Sequence, residues 1–122
     1  MARILLIDDE ETFRVTLAKI LQREQHQVTT AANGVEAMKQ VMSSEFDLVI
    51  TDLVMPEKEG LETILEIRKI LPELKIIAMS GGGRGSAYDY LKIASKMGAD
   101  RTLAKPFTKA EIILAIGELV GK

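Results

Sequence analysis

Three aspartates and one lysine stand directly after short apolar runs in this chain. Ile4-Leu5-Leu6-Ile7 ends on Asp8-Asp9, Leu48-Val49-Ile50-Thr51 ends on Asp52, and Thr102-Leu103-Ala104 ends on Lys105-Pro106. Apolar runs of this length read as strands of a parallel sheet, buried on both faces. In an open α/β sheet, ligands bind outside the carboxyl ends of the strands. The three carboxylates and the ammonium are therefore expected to converge on one spot. Carboxylates held so close repel one another. A hard divalent cation with oxygen ligands relieves that repulsion, and Mg²⁺ fits best. A lysine beside such a site suits an incoming phosphate.

The frame that positions these residues is a βα repeat, because apolar β-like runs alternate with amphipathic helical patterns. Strands are expected at about 3–7, 27–31, 47–51, 75–79 and 100–104. Between them, Phe13, Leu17, Ile20 and Leu21 recur at helical spacing in the first helix. The second helix opens at Asn33-Gly34, with Val35, Met38, Val41 and Met42 expected inside. The third carries Leu61, Ile64 and Leu65 and ends before Pro72. The fourth starts near Ser86, with Asp89 completing a possible capping box, and closes at Gly98. The fifth opens with the capping-box pattern Thr108-Lys109-Ala110-Glu111 and carries Ile112, Ile113, Ile116, Leu119 and Val120. Crossovers are right-handed, so covering both faces of the sheet requires one reversal of winding. The reversal opens a crevice beside the first strand, which makes the ends of strands 1 and 3 neighbours.

Composition narrows the field. At 122 residues, 47% hydrophobic and 28% charged, the chain reads as one globular domain over 1–122 with a real core. A net charge of −2 gives no electrostatic case for nucleic-acid binding. The absence of cysteine excludes disulfide and thiolate chemistry, and the lone His26 excludes a multi-histidine metal site. No stretch approaches a membrane span, and the apolar run at the N-terminus is too short for a signal peptide. The expected compartment is the cytoplasm.

The ordered set of Asp8-Asp9, Asp52 within Thr-Asp-Leu-Val-Met-Pro, Ser80 ending strand 4, and Lys105-Pro106-Phe107 resembles the receiver domain of two-component response regulators. The resemblance is to the chemotaxis-regulator type and covers the whole chain. Any single piece is uninformative: a strand-end Asp is commonly a turn residue or N-cap, and Asp9 alone reads equally well as the cap of the first helix. The resemblance implies a doubly wound five-stranded parallel sheet of order 2-1-3-4-5, a flavodoxin-like (βα)5 fold. It implies that Asp52 accepts a phosphoryl group from a histidine kinase or phosphotransfer protein. It also implies that Asp9 and Asp52 bind Mg²⁺ directly, Asp8 through a water, and Val54 through its backbone carbonyl. Lys105 and the Ser80 hydroxyl would each take a phosphoryl oxygen. Such a chain is no enzyme on other substrates; it catalyses only its own phosphorylation and dephosphorylation. Its output is a conformational change read by a protein partner on the face of helix 4, strand 5 and helix 5. The Lys105–Pro106 peptide is a candidate for the cis form.

The chain departs from that pattern in three places. Thr102 stands where the family usually has Phe or Tyr, so the inward swing of a ring is not open to it. Tyr88 and Tyr90 are read as one core and one surface residue rather than as a substitute. Ser80-Gly81-Gly82-Gly83-Arg84-Gly85 is longer and richer in glycine than usual; it reads equally as an anion-cupping nest or as a flexible insertion, with Arg84 toward solvent. Val54 and Gly82, at positions that often tune hydrolysis of the acyl phosphate, have no side chain able to orient a water. His26 is assigned no role. Rival readings are a Mg²⁺-dependent aspartyl-nucleophile phosphatase, a flavodoxin and a docking module that is not phosphorylated. The phosphatase would need a second Asp where Val54 stands; the site is too acidic for a flavin phosphate without metal, and the chain has few aromatics to sandwich a ring; the acidic and Lys set is superfluous to a docking module.

Overall fold

The computed structural model describes residues 2–53, 60–81 and 86–121, and only the backbone of 86–91. Strands and helices alternate as β1 (Arg3–Ile7), α1 (Glu11–Arg23), β2 (Gln27–Ala31), α2 (Gly34–Ser43), β3 (Leu48–Asp52), α3 (Gly60–Ile70), β4 (Lys75–Ser80), α4 (Ser86–Met97), β5 (Arg101–Ala104) and α5 (Lys109–Val120). The strands form one parallel sheet in the order β2-β1-β3-β4-β5. This is the doubly wound arrangement expected, with its reversal between β1 and β3.

Side chains of a strand alternate between faces, and that alternation sorts the core into two layers. Leu5, Ile7, Val49 and Ala78 meet Ala37 and Val41 of α2, Ile64 and Ile67 of α3, and Ala94 of α4. Ile4, Leu6, Leu48, Ile50, Ile77 and Met79 meet Leu17 and Leu21 of α1 and Ile112 and Ile116 of α5. Each fully buried Leu or Ile contributes about 1.5–3 kcal/mol. These two layers therefore hold the strand ends rigid enough to carry a site.

Helix ends follow their local chemistry. Asn33 caps α2 by accepting from the Glu36 N–H at 2.9 Å. Thr108 and Glu111 form the full capping box of α5. Gly98, which follows α4, has φ +124°, a conformation open to glycine. The capping box expected at Ser86 and Asp89 lies outside the described side chains.

Three expectations need correcting. Strand 3 is Leu48–Asp52, one residue later than the pattern suggests. Asp47 instead turns its carboxylate to the Arg3 N–H, at 2.8 Å. In α2 the inward stripe is Gly34, Ala37 and Val41, while Val35 and Met42 are exposed. Two apolar stripes compete along that helix, and the smaller residues win because they let it approach the sheet most closely. In α3, Leu65 is exposed and Thr63 and Ile67 are buried. Among the described residues, no helix is long and apolar enough to cross a membrane.

Candidate functional site

β1 and β3 pair with Ile7 opposite Thr51, so Asp8 and Asp52 continue the register side by side. β4 and β5 pair with Ser80 opposite Ala104, so Lys105 arrives next to the end of β4. The sheet thereby gathers all five side chains at its carboxyl edge. One carboxylate oxygen from each of Asp8, Asp9 and Asp52 lies within 4.8 Å of the others.

Each group has a distinct environment. Asp8 is fully buried. Its Oδ1 accepts from the Glu10 N–H at 2.9 Å, its Oδ2 accepts from Lys105 Nζ at 2.8 Å, and Arg14 donates to its carbonyl at 2.8 Å. Both carboxylate oxygens are thus engaged within the protein. Asp9 is exposed, and α1 is not capped by it, since Glu10 occupies the N-cap without a side-chain bond. Lys105 Nζ lies 3.5 Å from Asp52 Oδ1 and 4.1 Å from the centre of the Phe13 ring, which meets Phe107 edge-on at 6.0 Å. The Lys105–Pro106 peptide is cis.

Burial pushes the Asp52 carboxyl up from 3.8 to about 6; Lys105 opposes the rise, and the charges of Asp8 and Asp9 add to it. One lysine does not neutralise three carboxylates, so the donor set is short of positive charge. Oxygen donors without sulfur or imidazole match a hard cation such as Mg²⁺. Ser80 supplies a second sign of a ligand site. Its Oγ is fully buried and, among the described residues, has no hydrogen-bond partner. An orphaned buried hydroxyl costs about 1–3 kcal/mol. Ser80→Ala is therefore expected to leave the ligand-free protein as stable or about 1 kcal/mol more stable. Urea titration checks this, and a clear loss of stability would show that the hydroxyl is already satisfied.

Sequence reasoning did not find four residues that shape this site. Phe13 reads as part of the α1 core stripe, yet its ring faces the Lys105 ammonium. Arg14 fixes the β1–α1 turn through the Asp8 carbonyl. A Cβ on Gly60 would lie 2.1 Å from the Asp52 carbonyl oxygen, so only glycine lets α3 start against that backbone. Gly81 borders the Lys105 stem. The signal for Gly60 was present as a lone glycine at a helix start; the others need the tertiary structure. Val54, Gly82 and Arg84 fall outside the described residues, as do the side chains of Tyr88 and Tyr90. His26 has a structural partner, its Nδ1 accepting from the Ala2 N–H at 3.0 Å. A concavity of about 720 Å³ lies away from the acidic cluster, among Arg3, Met42, Phe46, Asp47, Leu71 and Leu74. It lacks a convergent set of reactive groups.

A parallel doubly wound sheet with an acidic pocket and a lysine at its carboxyl edge defines the class, and the family profile described as "response regulator receiver domain" matches residues 4–117. The chain belongs to that family, the receiver domains of two-component response regulators. It is 36% identical over 118 residues to the chemotaxis protein CheY of Halobacterium salinarum, covering 97% of this chain and 96% of that protein. It is 37% identical over 115 residues to the DNA-binding transcriptional regulator NtrC of Azospirillum brasilense, covering 94% of this chain. It spans only 23% of that regulator and 13% of the sensor kinase CckA of Brucella abortus, which it also resembles. Among solved structures, the response regulator TrrA of Thermotoga maritima, in complex with Mg²⁺-BeF, superposes with a TM-score of 0.85 at 38% identity, covering 98% of this chain and 99% of that one. A receiver domain protein from Clostridium thermocellum gives 0.91 at 32% identity, covering 99% and 95%.

Proposed function

We propose that the chain is a phosphorylation-dependent signalling switch working in the cytoplasm, with Asp52 as its phosphoryl acceptor. The observation that carries this reading is the convergence of Asp52, Lys105 and the orphaned Ser80 hydroxyl on one pocket beside Asp8 and Asp9. The donor is a phosphohistidine on a sensor histidine kinase or phosphotransfer protein. An Asp52 carboxylate oxygen forms the new O–P bond as the P–N bond to the donor imidazole breaks. With its pKa at about 6, Asp52 is mostly ionised at pH 7 and ready to attack. Lys105 leaves Asp8 to pair with one phosphoryl oxygen, and Ser80 donates to another. Phosphoryl transfer depends on such positioning and on neutralised oxygens more than on acid–base groups.

Asp9, Asp52 and the Val54 carbonyl would hold Mg²⁺. Bound there, it would supply positive charge against the phosphoryl oxygens and the neighbouring carboxylates. Asp8, with both oxygens already engaged, fits a place behind a water. The chain's own catalysis is confined to gaining and losing this phosphoryl group. Output passes to a protein partner through the face of α4, β5 and α5, where Arg101 and Glu118 pair at 3.0 Å.

The test is intact-mass measurement after incubation with a small phosphodonor. One phosphoryl group should be gained with Mg²⁺ and none with a chelator present; labelling indifferent to Mg²⁺ contradicts the reading. Metal binding has its own readout. Millimolar Mg²⁺ should raise the melting temperature, since a ligand of the native state at a hundredfold excess over its Kd stabilises by about 2.7 kcal/mol. The rise should disappear in Asp9→Ala, and a rise that persists there would place the ion elsewhere.

A further inference from the structure

The Lys105 side chain runs through a slot with two walls that belong to other elements. On one side, a Cβ on Gly81 would lie 2.7 Å from Lys105 Cβ, 3.2 Å from Cδ and 3.4 Å from Cγ. The nearest of these atoms is the root of the side chain, which cannot move aside without its backbone. That backbone is itself tied down, because the Lys105 N–H donates to the Ser80 carbonyl at 2.9 Å. On the other side, the Phe13 ring lies under the ammonium at 4.1 Å and is braced edge-on by Phe107. Both walls aim the ammonium at Asp8 and Asp52.

We propose that Gly81 and Phe13 are positioning residues for Lys105: the missing side chain at 81 admits the stem, and the ring at 13 steadies the charge. The inference rests on Lys105 serving the phosphoryl group as described above. Neither residue offers a polar side chain to the phosphoryl group. A methyl at 81 pushes the stem and its ammonium out of line, and misplacement by about 1 Å costs up to roughly a hundredfold in rate. Loss of the ring removes a cation–π contact, which corresponds to a rate loss of roughly two- to fivefold.

The experiment measures the rate of phosphorylation by a small phosphodonor at saturating Mg²⁺ for Gly81→Ala, Phe13→Leu and Lys105→Ala, and for each of the first two combined with Lys105→Ala. Gly81→Ala should slow labelling roughly ten- to a hundredfold and Phe13→Leu roughly two- to fivefold. Both effects should vanish in the Lys105→Ala background, because no ammonium is left to position. An equal loss with and without Lys105 overturns the proposal and assigns residue 81 to steric access instead. Rates like the wild type in both single variants overturn it as well. A Lys105→Ala protein that labels at the wild-type rate overturns this proposal together with the role of Lys105 beneath it. Should Gly81→Ala fail to fold, the Phe13→Leu pair decides alone.

Discussion

Asp52→Asn should make the metal-free protein more stable at pH 7, not less. The wild-type carboxylate is nine-tenths buried, stands beside two other carboxylates, and has only part of one lysine as compensation. Its pKa rises from 3.8 to about 6 on folding, chiefly through burial. For an acid whose pKa is raised, the folded state holds the proton more tightly than the unfolded state. The stability this contributes is present below about pH 4 and is lost as pH climbs through 6. A shift of about two units corresponds to roughly 2–3 kcal/mol. Asn keeps the shape without the charge, so the two proteins should melt together near pH 4 and diverge between pH 4 and 6. At pH 7 the variant should melt roughly 5–10 °C higher. Saturating Mg²⁺ should close or reverse the gap, since the ion rewards the charge. Parallel melts in chelator across this range check it; a variant that melts lower at pH 7 would mean that Lys105 already compensates Asp52 fully.

Lys105→Met should move stability the other way. Met retains an apolar stem of similar length for the slot beside Gly81, and only the ammonium is lost. Asp8 then sits fully buried with the Glu10 N–H as the remaining donor to its carboxylate, beside two like charges. Removing one partner of a buried ion pair costs about 3–5 kcal/mol. Denaturant titration of metal-free protein at pH 7 should show a loss of about that size. Asp8→Asn in the Lys105→Met background should recover much of it, and so should Mg²⁺. A loss below about 1 kcal/mol, unchanged by either, would show that the Lys105–Asp8 pair is strongly screened.

The opposite signs of these two effects express one property. Among the described residues, the pocket carries more negative charge than its one lysine settles. Asp8 is settled by Lys105, Asp52 is settled only in part, and the Ser80 hydroxyl is left without a partner among the described residues. On the proposed reading, such a site is costly without its ligands and becomes favourable once cation and phosphoryl group bind. Coupling of that kind is what a switch requires, because a ligand shifts a conformational equilibrium only through differential affinity for its two states.

Much of this was legible in sequence for a simple reason. In a parallel sheet the strand ends are neighbours whatever lies between them, so charged residues that terminate apolar runs identify the site before any contact is known. Asp8, Asp9, Asp52, Ser80 and Lys105 all come from that one rule together with the family resemblance. Helix faces were harder. In α2 the pattern was read as one inward face of Val35, Met38, Val41 and Met42, and small residues that pack most closely leave the weakest apolar signal. The second layer of the site was hidden for a related reason. Phe13 satisfies the helical spacing of a core residue, and nothing in that spacing shows that a lysine 92 positions later lies over its ring. Gly81 stands in a glycine-rich run that reads as a loop, whereas a Cβ there would meet the Lys105 side chain just after β5.

The most direct test of the central claim is to find which atom carries the phosphoryl group. The protein is incubated with a small phosphodonor and Mg²⁺, then reduced with borohydride, which converts an aspartyl phosphate into homoserine. Peptide mass mapping should place homoserine at position 52 alone, and the product should be absent from Asp52→Asn treated in parallel. Homoserine at position 8 or 9, or undiminished labelling in the Asn variant, would contradict the assignment of Asp52 as the acceptor.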